Sequence, residues 1–229
     1  MKVDPVLLNM GCRYASLAYD EKIPDTIKVE SKVTSTTAFI AKRKSIDVIS
    51  FRGSQQATDF FFDGFAIPIP FERRLCHGGF VLAFKSVWAD IAHLIDYNKR
   101  TLITGHSLGG ALAELMALKL HKKHDSLNLV TFGKPNTFFK GFKRPLGLDK
   151  QYSVVHGSDM VARIPRLLYG PSCSQNQIYF CNEGSCVINP SKDFKRKDFL
   201  SEPDEAVSDH MMDGYKSSVK SYINEQTRK

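Results

Sequence analysis

Residues Thr101-Leu102-Ile103-Thr104-Gly105-His106-Ser107-Leu108-Gly109-Gly110 carry a β-branched run straight into Gly-x-Ser-x-Gly. A strongly helix-forming stretch, Ala111 to Leu120, follows at once. Strand, tight turn and helix in that order constrain a chain severely. The turn holds its serine in a strained conformation, so glycines are needed two residues to either side, where side chains would collide. The helix then points its first free N–H groups at the same place, where they stabilise developing negative charge. The bare five-residue pattern occurs by chance. Flanked in this way it makes Ser107 a candidate nucleophile.

The rest of the chain suits that turn. Residues 6–18 read as an amphipathic helix, and residues 36–40 and 46–51 as a hairpin around Lys42-Arg43-Lys44. Three consecutive phenylalanines follow in 55–64, then a short extended piece over 66–71. Phe80, Phe84, Val87, Ile91 and Ile95 recur at helical spacing. Residues 127–132 and 152–156 are apolar strands that end at Gly133-Lys134-Pro135 and Gly157-Ser158-Asp159. A second hairpin is expected around Asn182-Glu183-Gly184, and a terminal helix from Ser208 to Tyr222 with Ser208 or Asp209 as its cap. Strands alternating with helices predict an α/β fold, with a mostly parallel central sheet and helices on both faces. The 229 residues, 42% of them apolar, suit one domain over the whole chain.

No apolar run approaches the roughly 20 residues of a membrane span. Met1 to Tyr19 lacks the layout of a secretory signal, which predicts a cytoplasmic or otherwise intracellular protein. The odd cysteine count (Cys12, Cys76, Cys173, Cys181, Cys186) then favours free thiols. Cys173, Cys181 and Cys186 lack any C-x-x-C spacing, so no metal is expected, and a Cys181–Cys186 bridge is unforced. The net charge of +8 is spread out, with mild clusters at Lys140, Lys143, Arg144 and at Lys192, Lys195, Arg196, Lys197. It reads first as a solvated face and second as an attraction to anionic membranes or micelles. Nothing resembles a nucleic-acid module.

A serine needs a histidine to take its proton and a carboxylate to orient that histidine. In α/β-hydrolases the chain order is serine, acid, histidine. His121 and His124 lie in the polar run His121-Lys122-Lys123-His124 and are expected to face solvent, and His156 precedes the best acid. His210 remains, at a loop-to-helix boundary. Asp159 lies just past a strand end, where open α/β sheets place functional groups, whereas Asp149 and Asp209 follow no convincing strand. The expected relay is Ser107, Asp159 and His210.

These residues resemble the class 3, fungal-type lipase family. Phe51-Arg52-Gly53-Ser54 matches its oxyanion-loop signature, and Cys76-His77-Gly78-Gly79-Phe80 its His-x-Gly-Phe motif. Thr131-Phe132-Gly133-Lys134-Pro135 resembles the strand after the elbow. Gly157 to Pro165 resembles the acid segment, and Asp209-His210 with Tyr215 the histidine segment. The chain departs from the family at Asn136, where arginine is usual, and at Thr137-Phe138-Phe139.

The resemblance implies an α/β-hydrolase that cleaves carboxylic esters of acylglycerols or related lipids through an acyl-enzyme, without cofactor. Phospholipase A1 and soluble-ester esterase are the alternatives, and an inactive lipid- or protein-binding hydrolase fold is a third. It implies an oxyanion hole from Ser54 and the N–H of Leu108, where one donor is worth on the order of 10²–10³ in turnover. It also implies a lid over 55–65 whose Phe60, Phe61, Phe62 and Phe65 turn toward lipid. Such a lid could equally pair two molecules, so the oligomeric state stays open.

Overall fold

The structure is a computed structural model that describes residues 2–20, 23–54, 67–140, 146–165, 169–170 and 176–228. The chain opens with helix α1 (Pro5–Leu17), whose first N–H groups, those of Val6 and Leu7, donate to the Asp4 carboxylate at 3.1 Å each. Pro5 at the first helical position costs nothing, because its missing N–H had no partner inside the helix. Leu7, Leu8, Cys12 and Ala15 form one buried stripe on this helix.

Strands β1 (Thr26–Ser31), β2 (Thr36–Ala41) and β3 (Asp47–Phe51) make an antiparallel meander. A small hairpin, β4 (Pro68–Phe71) and β5 (Arg74–His77), leads into α2 (Gly78–Ala92). The centre follows as β6 (Thr101–His106), α3 (Leu108–Leu120) and β7 (Leu127–Phe132). Next come the two-residue β8 (Phe138–Phe139), β9 (Lys150–His156), the two-residue β10 (Tyr169–Gly170) and the hairpin β11 (Gln177–Phe180) with β12 (Cys186–Ile188). Helices α4 (Lys192–Ser201) and α5 (Met212–Thr227) close the chain.

Among the described residues eight strands form the main sheet in the order β1-β2-β3-β6-β7-β9-β11-β12. The five from β3 to β11 are parallel neighbours, and the antiparallel pairs lie at the two edges. Helices α2 and α3 bury Phe80, Phe84, Leu112 and Met116 against one face. Helices α1 and α5 bury Leu8, Cys12, Tyr215 and Val219 against the other. Every residue of β3, β6 and β7 is buried, as expected for parallel strands covered on both sides. The C-terminal ends of β6, β7 and β9 lead into the segments that carry Ser107, Lys134 and Asp159.

Two readings of the sequence change here. The terminal helix starts at Met212, not Ser208. Residues Ser208–His210 form a separate 3₁₀ turn, and the α5 cap position, Met211, offers no side-chain hydrogen bond. His124 is buried rather than solvent-facing. Its Nε2 lies 3.1 Å from the Thr101 hydroxyl and its Nδ1 accepts from the Ser126 N–H at 3.3 Å, because the turn after α3 folds back onto β6. Cys181 and Cys186 are free, as the odd cysteine count favours, and pack into clusters on opposite sides of their hairpin. β1, unread from sequence, is an edge strand.

The lid expected over 55–65, with Phe60, Phe61, Phe62 and Phe65, lies outside the described residues, as does Cys173. Among the described residues no helix is long and apolar enough to cross a membrane.

Asp47 pins the start of β3 beside β6. Its carboxylate sits 2.7 Å from both Lys42 Nζ and Lys99 Nζ and accepts from the Arg43 N–H at 3.2 Å. Burial alone would raise this carboxyl. The two lysines and the backbone N–H outweigh it and hold the group below its ordinary value. Such a group adds stability above its unfolded-state pKa of about 3.9 and loses it as pH falls through the lower folded value. Asp47→Asn is expected to cost about 1–3 kcal/mol in urea denaturation at pH 7. The deficit should shrink below about pH 4, and an unchanged deficit at pH 3 would show that the charge contributes nothing.

Candidate active site

Ser107 sits between β6 and α3 at φ 55° and ψ −130°. Two glycines permit this. A Cβ on Gly105 would stand 2.4 Å from the carbonyl carbon and oxygen of Gly109, and one on Gly109 would stand 2.2 Å from the carbonyl oxygen of Phe51. The Ser107 N–H donates to Phe132 O at 2.9 Å, tying the turn to the end of β7.

His210 Nε2 lies 2.9 Å from Ser107 Oγ, and its Nδ1 lies 3.0 Å from each oxygen of Asp159. All three residues are buried. Because the carboxylate only accepts, Nδ1 carries the proton and Nε2 is free to accept from the serine hydroxyl. Asp159 takes three further hydrogen bonds, from the N–H of Val161 (2.8 Å), the N–H of Ala162 (3.2 Å) and the Tyr215 hydroxyl (2.5 Å). Burial and the nearby Asp159 carboxylate raise the Tyr215 phenol well above its ordinary range, so it remains a donor. The same hydroxyl accepts the His156 N–H at 3.2 Å.

The structure thus brings together the three residues expected to form the relay. Asp209, the weaker acid candidate, faces elsewhere. Its Oδ2 accepts from the Ser158 N–H at 2.6 Å, and its Oδ1 lies 3.2 Å from His156 Nδ1. Ser54, half-buried, follows Phe51, whose carbonyl borders the first turn of α3, and Leu108 is the first residue of that helix.

Residues singled out as departures have specific uses. The Asn136 amide donates to the carbonyls of Arg163 (3.3 Å) and Pro165 (3.1 Å), and its N–H to Ile164 (2.8 Å), so it grips the segment just past Asp159. Phe138 and Phe139 form β8, which pairs with β10 and, through Phe138, with Cys76 of β5. His77 is buried against the rings of Phe80 (4.0 Å between centroids) and Tyr169 (5.2 Å), and burial pushes its pKa down to about 4.

The basic run of α4 is mostly exposed. Lys195 is half-buried and donates to Gln177 Oε1 at 2.9 Å. Asp198 fastens the helix to the core by accepting from the Tyr179 hydroxyl at 2.8 Å, while the Arg163 guanidinium stacks on Phe199 at 4.7 Å.

A sequence model of the family described as Lipase (class 3) matches residues 48–169, more than half of the chain. The chain belongs to the class 3 lipase family. It is 32% identical over 157 residues to secreted mono- and diacylglycerol lipase 1 of Fusarium solani, covering 60% of this chain and 45% of that one. It is 27% identical over 179 residues to a lipase of Rhizomucor miehei, covering 69% and 48%. It therefore spans about half the length of these relatives. The solved structure of the Rhizomucor miehei triacylglyceride lipase superposes with a TM-score of 0.66 at 21% identity, over 80% of this chain and 81% of that one. That likeness establishes the α/β-hydrolase fold.

The cytoplasmic or intracellular location expected from the sequence is overturned, since the Fusarium solani relative is a secreted lipase. The segment read for a signal is largely α1, whose apolar stripe packs on the sheet, so its layout carries no information about compartment.

Sequence reasoning missed the buried pair of Lys134 and Glu114, 2.9 Å apart, with the lysine side chain 4% and the glutamate side chain 0% exposed. Lys134 follows β7 and Glu114 lies on α3, so the pair staples the helix behind the serine to the neighbouring strand end. Lys134→Met strands a buried carboxylate and is expected to cost about 3–5 kcal/mol. The double variant with Glu114→Leu should recover most of that in thermal and urea melts. Equal losses in both variants would mean that packing, not charge, is at stake.

Proposed function

We propose that this chain is a serine ester hydrolase that cleaves acylglycerols through an acyl-enzyme, with Ser107 as nucleophile, His210 as general base and Asp159 as its orienting acid. The observation that carries the reading is the continuous hydrogen-bonded path from Ser107 Oγ through His210 to Asp159, with the serine at a strained turn. His210 Nε2 takes the hydroxyl proton as Oγ attacks the ester carbonyl, and then gives it to the leaving alcohol. Asp159 fixes the tautomer and stabilises the imidazolium. The oxyanion forms in reach of the Leu108 N–H, a first-turn donor at the helix N-terminus, and of Ser54. Water activated by the same histidine releases the fatty acid.

The substrate class is supported by the relative's own description as a mono- and diacylglycerol lipase. The net charge of +8 favours a lipid surface that carries anions. A lid over 55–65 and an oxyanion role for Ser54 belong to the same reading.

Mass-spectrometric analysis of products from triacylglycerol, diacylglycerol and phospholipids with distinct sn-1 and sn-2 chains tests it. Fatty acid from the glycerides is expected, and Ser107→Ala should lose about 10⁶ in turnover. Release of sn-1 acid from phospholipids alone would make the chain a phospholipase A1. Release only from soluble esters would make it an esterase, and no Ser107-dependent release would leave an inactive fold. Tyr215→Phe removes one donor from Asp159 and should lower kcat about 10-fold with KM little changed.

A further inference from the structure

We infer that His106 is a positioning residue for His210: its Nε2–H holds the His210 backbone carbonyl, and Tyr19 keeps the ring in that tautomer. The inference rests on the reading of His210 as general base.

His106 Nε2 lies 2.7 Å from the His210 carbonyl oxygen, and the Tyr19 hydroxyl lies 2.7 Å from His106 Nδ1. A carbonyl only accepts, so Nε2 carries the proton. In the neutral ring Nδ1 is then an acceptor, and the phenol is its donor. Burial drives the His106 pKa down to about 3, helped by the neighbouring His210 ring, so the neutral form persists at working pH. The groups that face it are Tyr19 from the turn after α1, His210 and Asp159 from the relay, and the Tyr215 ring from α5 at 5.6 Å between centroids.

The geometry suits positioning. One hydrogen bond fixes the peptide from which the His210 ring projects, and the His106 ring walls that imidazole with centroids 4.7 Å apart and planes inclined 31°. The Tyr19 oxygen also lies 2.1 Å from where a Cβ on Gly53 would stand, so the phenol rests against the segment that leads into Ser54. One chain of contacts therefore joins the turn after α1, the oxyanion loop, the elbow and the histidine loop. A merely structural buried histidine would affect melting temperature but leave the tautomer and kcat indifferent to Tyr19.

The test combines ¹⁵N-imidazole NMR on the full chain, over about pH 5 to 9, with kinetics on a short-chain p-nitrophenyl ester. His106 is expected as a single Nε2–H tautomer that does not titrate, and Tyr19→Phe should admit the second tautomer. His106→Phe should lose about 10–100-fold in kcat with KM within about 3-fold. His106→Gln, whose amide can donate to the same carbonyl, should recover part of that loss, with melts confirming that each variant is folded.

Titration of His106 in that range, an Nδ1–H tautomer, an unchanged kcat in folded His106→Phe, or glutamine no better than phenylalanine would overturn the inference. A wild-type protein that hydrolyses no ester would sink the hydrolase reading instead. The tautomer arm would still decide the Tyr19–His106–His210 arrangement.

Discussion

The backbone of Ser107, at φ 55° and ψ −130°, sets the spacing of everything around it. A non-glycine residue there costs of order 1–3 kcal/mol unless its surroundings over-determine it. The surroundings do so by backbone contact. Phe51 of β3 pairs in register with Gly105 of β6, and the first turn of α3 lies over that pair with no room for a Cβ at either glycine. Strand, strand and helix therefore meet at a fixed separation, and the segment from Arg52 to Ser54 inherits its place from that meeting. The hydrogen bond from the Ser107 N–H to Phe132 adds β7 to the same junction.

The two loops that bring acid and base are joined crosswise. Asp159 meets His210, while His156, three residues earlier, meets Asp209, one residue earlier. Two neighbouring contacts between the same segments restrict sliding and rotation more than one contact could. The Tyr215 hydroxyl holds the acid segment at both of these positions, donating to Asp159 and accepting from the His156 N–H. Asn136 holds the far side of the acid loop. Hydrogen bonds thus fix the relay's orientation in the folded chain, and little reorganisation remains to be made when charge develops.

What the sequence discloses follows from how local the signal is. The elbow, the hairpin at Lys42 to Lys44 and the strands before Gly133 and Gly157 are patterns within a dozen residues, and the chain order of the relay narrows the partners of Ser107. The rest depends on who lies opposite. Asp209 resembles a helix cap in sequence, but the Ser158 N–H, 51 positions away, takes its carboxylate. His124 stands in a run that looks solvated until the turn returns it to Thr101. The opposed directions of Cys181 and Cys186 follow from a register in which Cys186 pairs with Phe180, so that Cys181 faces the other side. Glu114 on an apolar helix makes sense only once Lys134 is seen beside it.

Three buried histidines show how environment, rather than residue type, assigns chemistry. His77 is enclosed by the rings of Phe80 and Tyr169, and burial alone keeps it from taking a proton in the physiological range. His106 is enclosed as well, and both of its nitrogens are already committed, one to Tyr19 and one to a backbone carbonyl. His210 differs from both. A carboxylate stands against its Nδ1, and its Nε2 is directed at a hydroxyl that can give up a proton. Proton transfer at Ser107 is therefore confined to one imidazole, while its neighbour His106, of the same chemical type, is held out of the reaction by the hydrogen bonds that keep His210 in place.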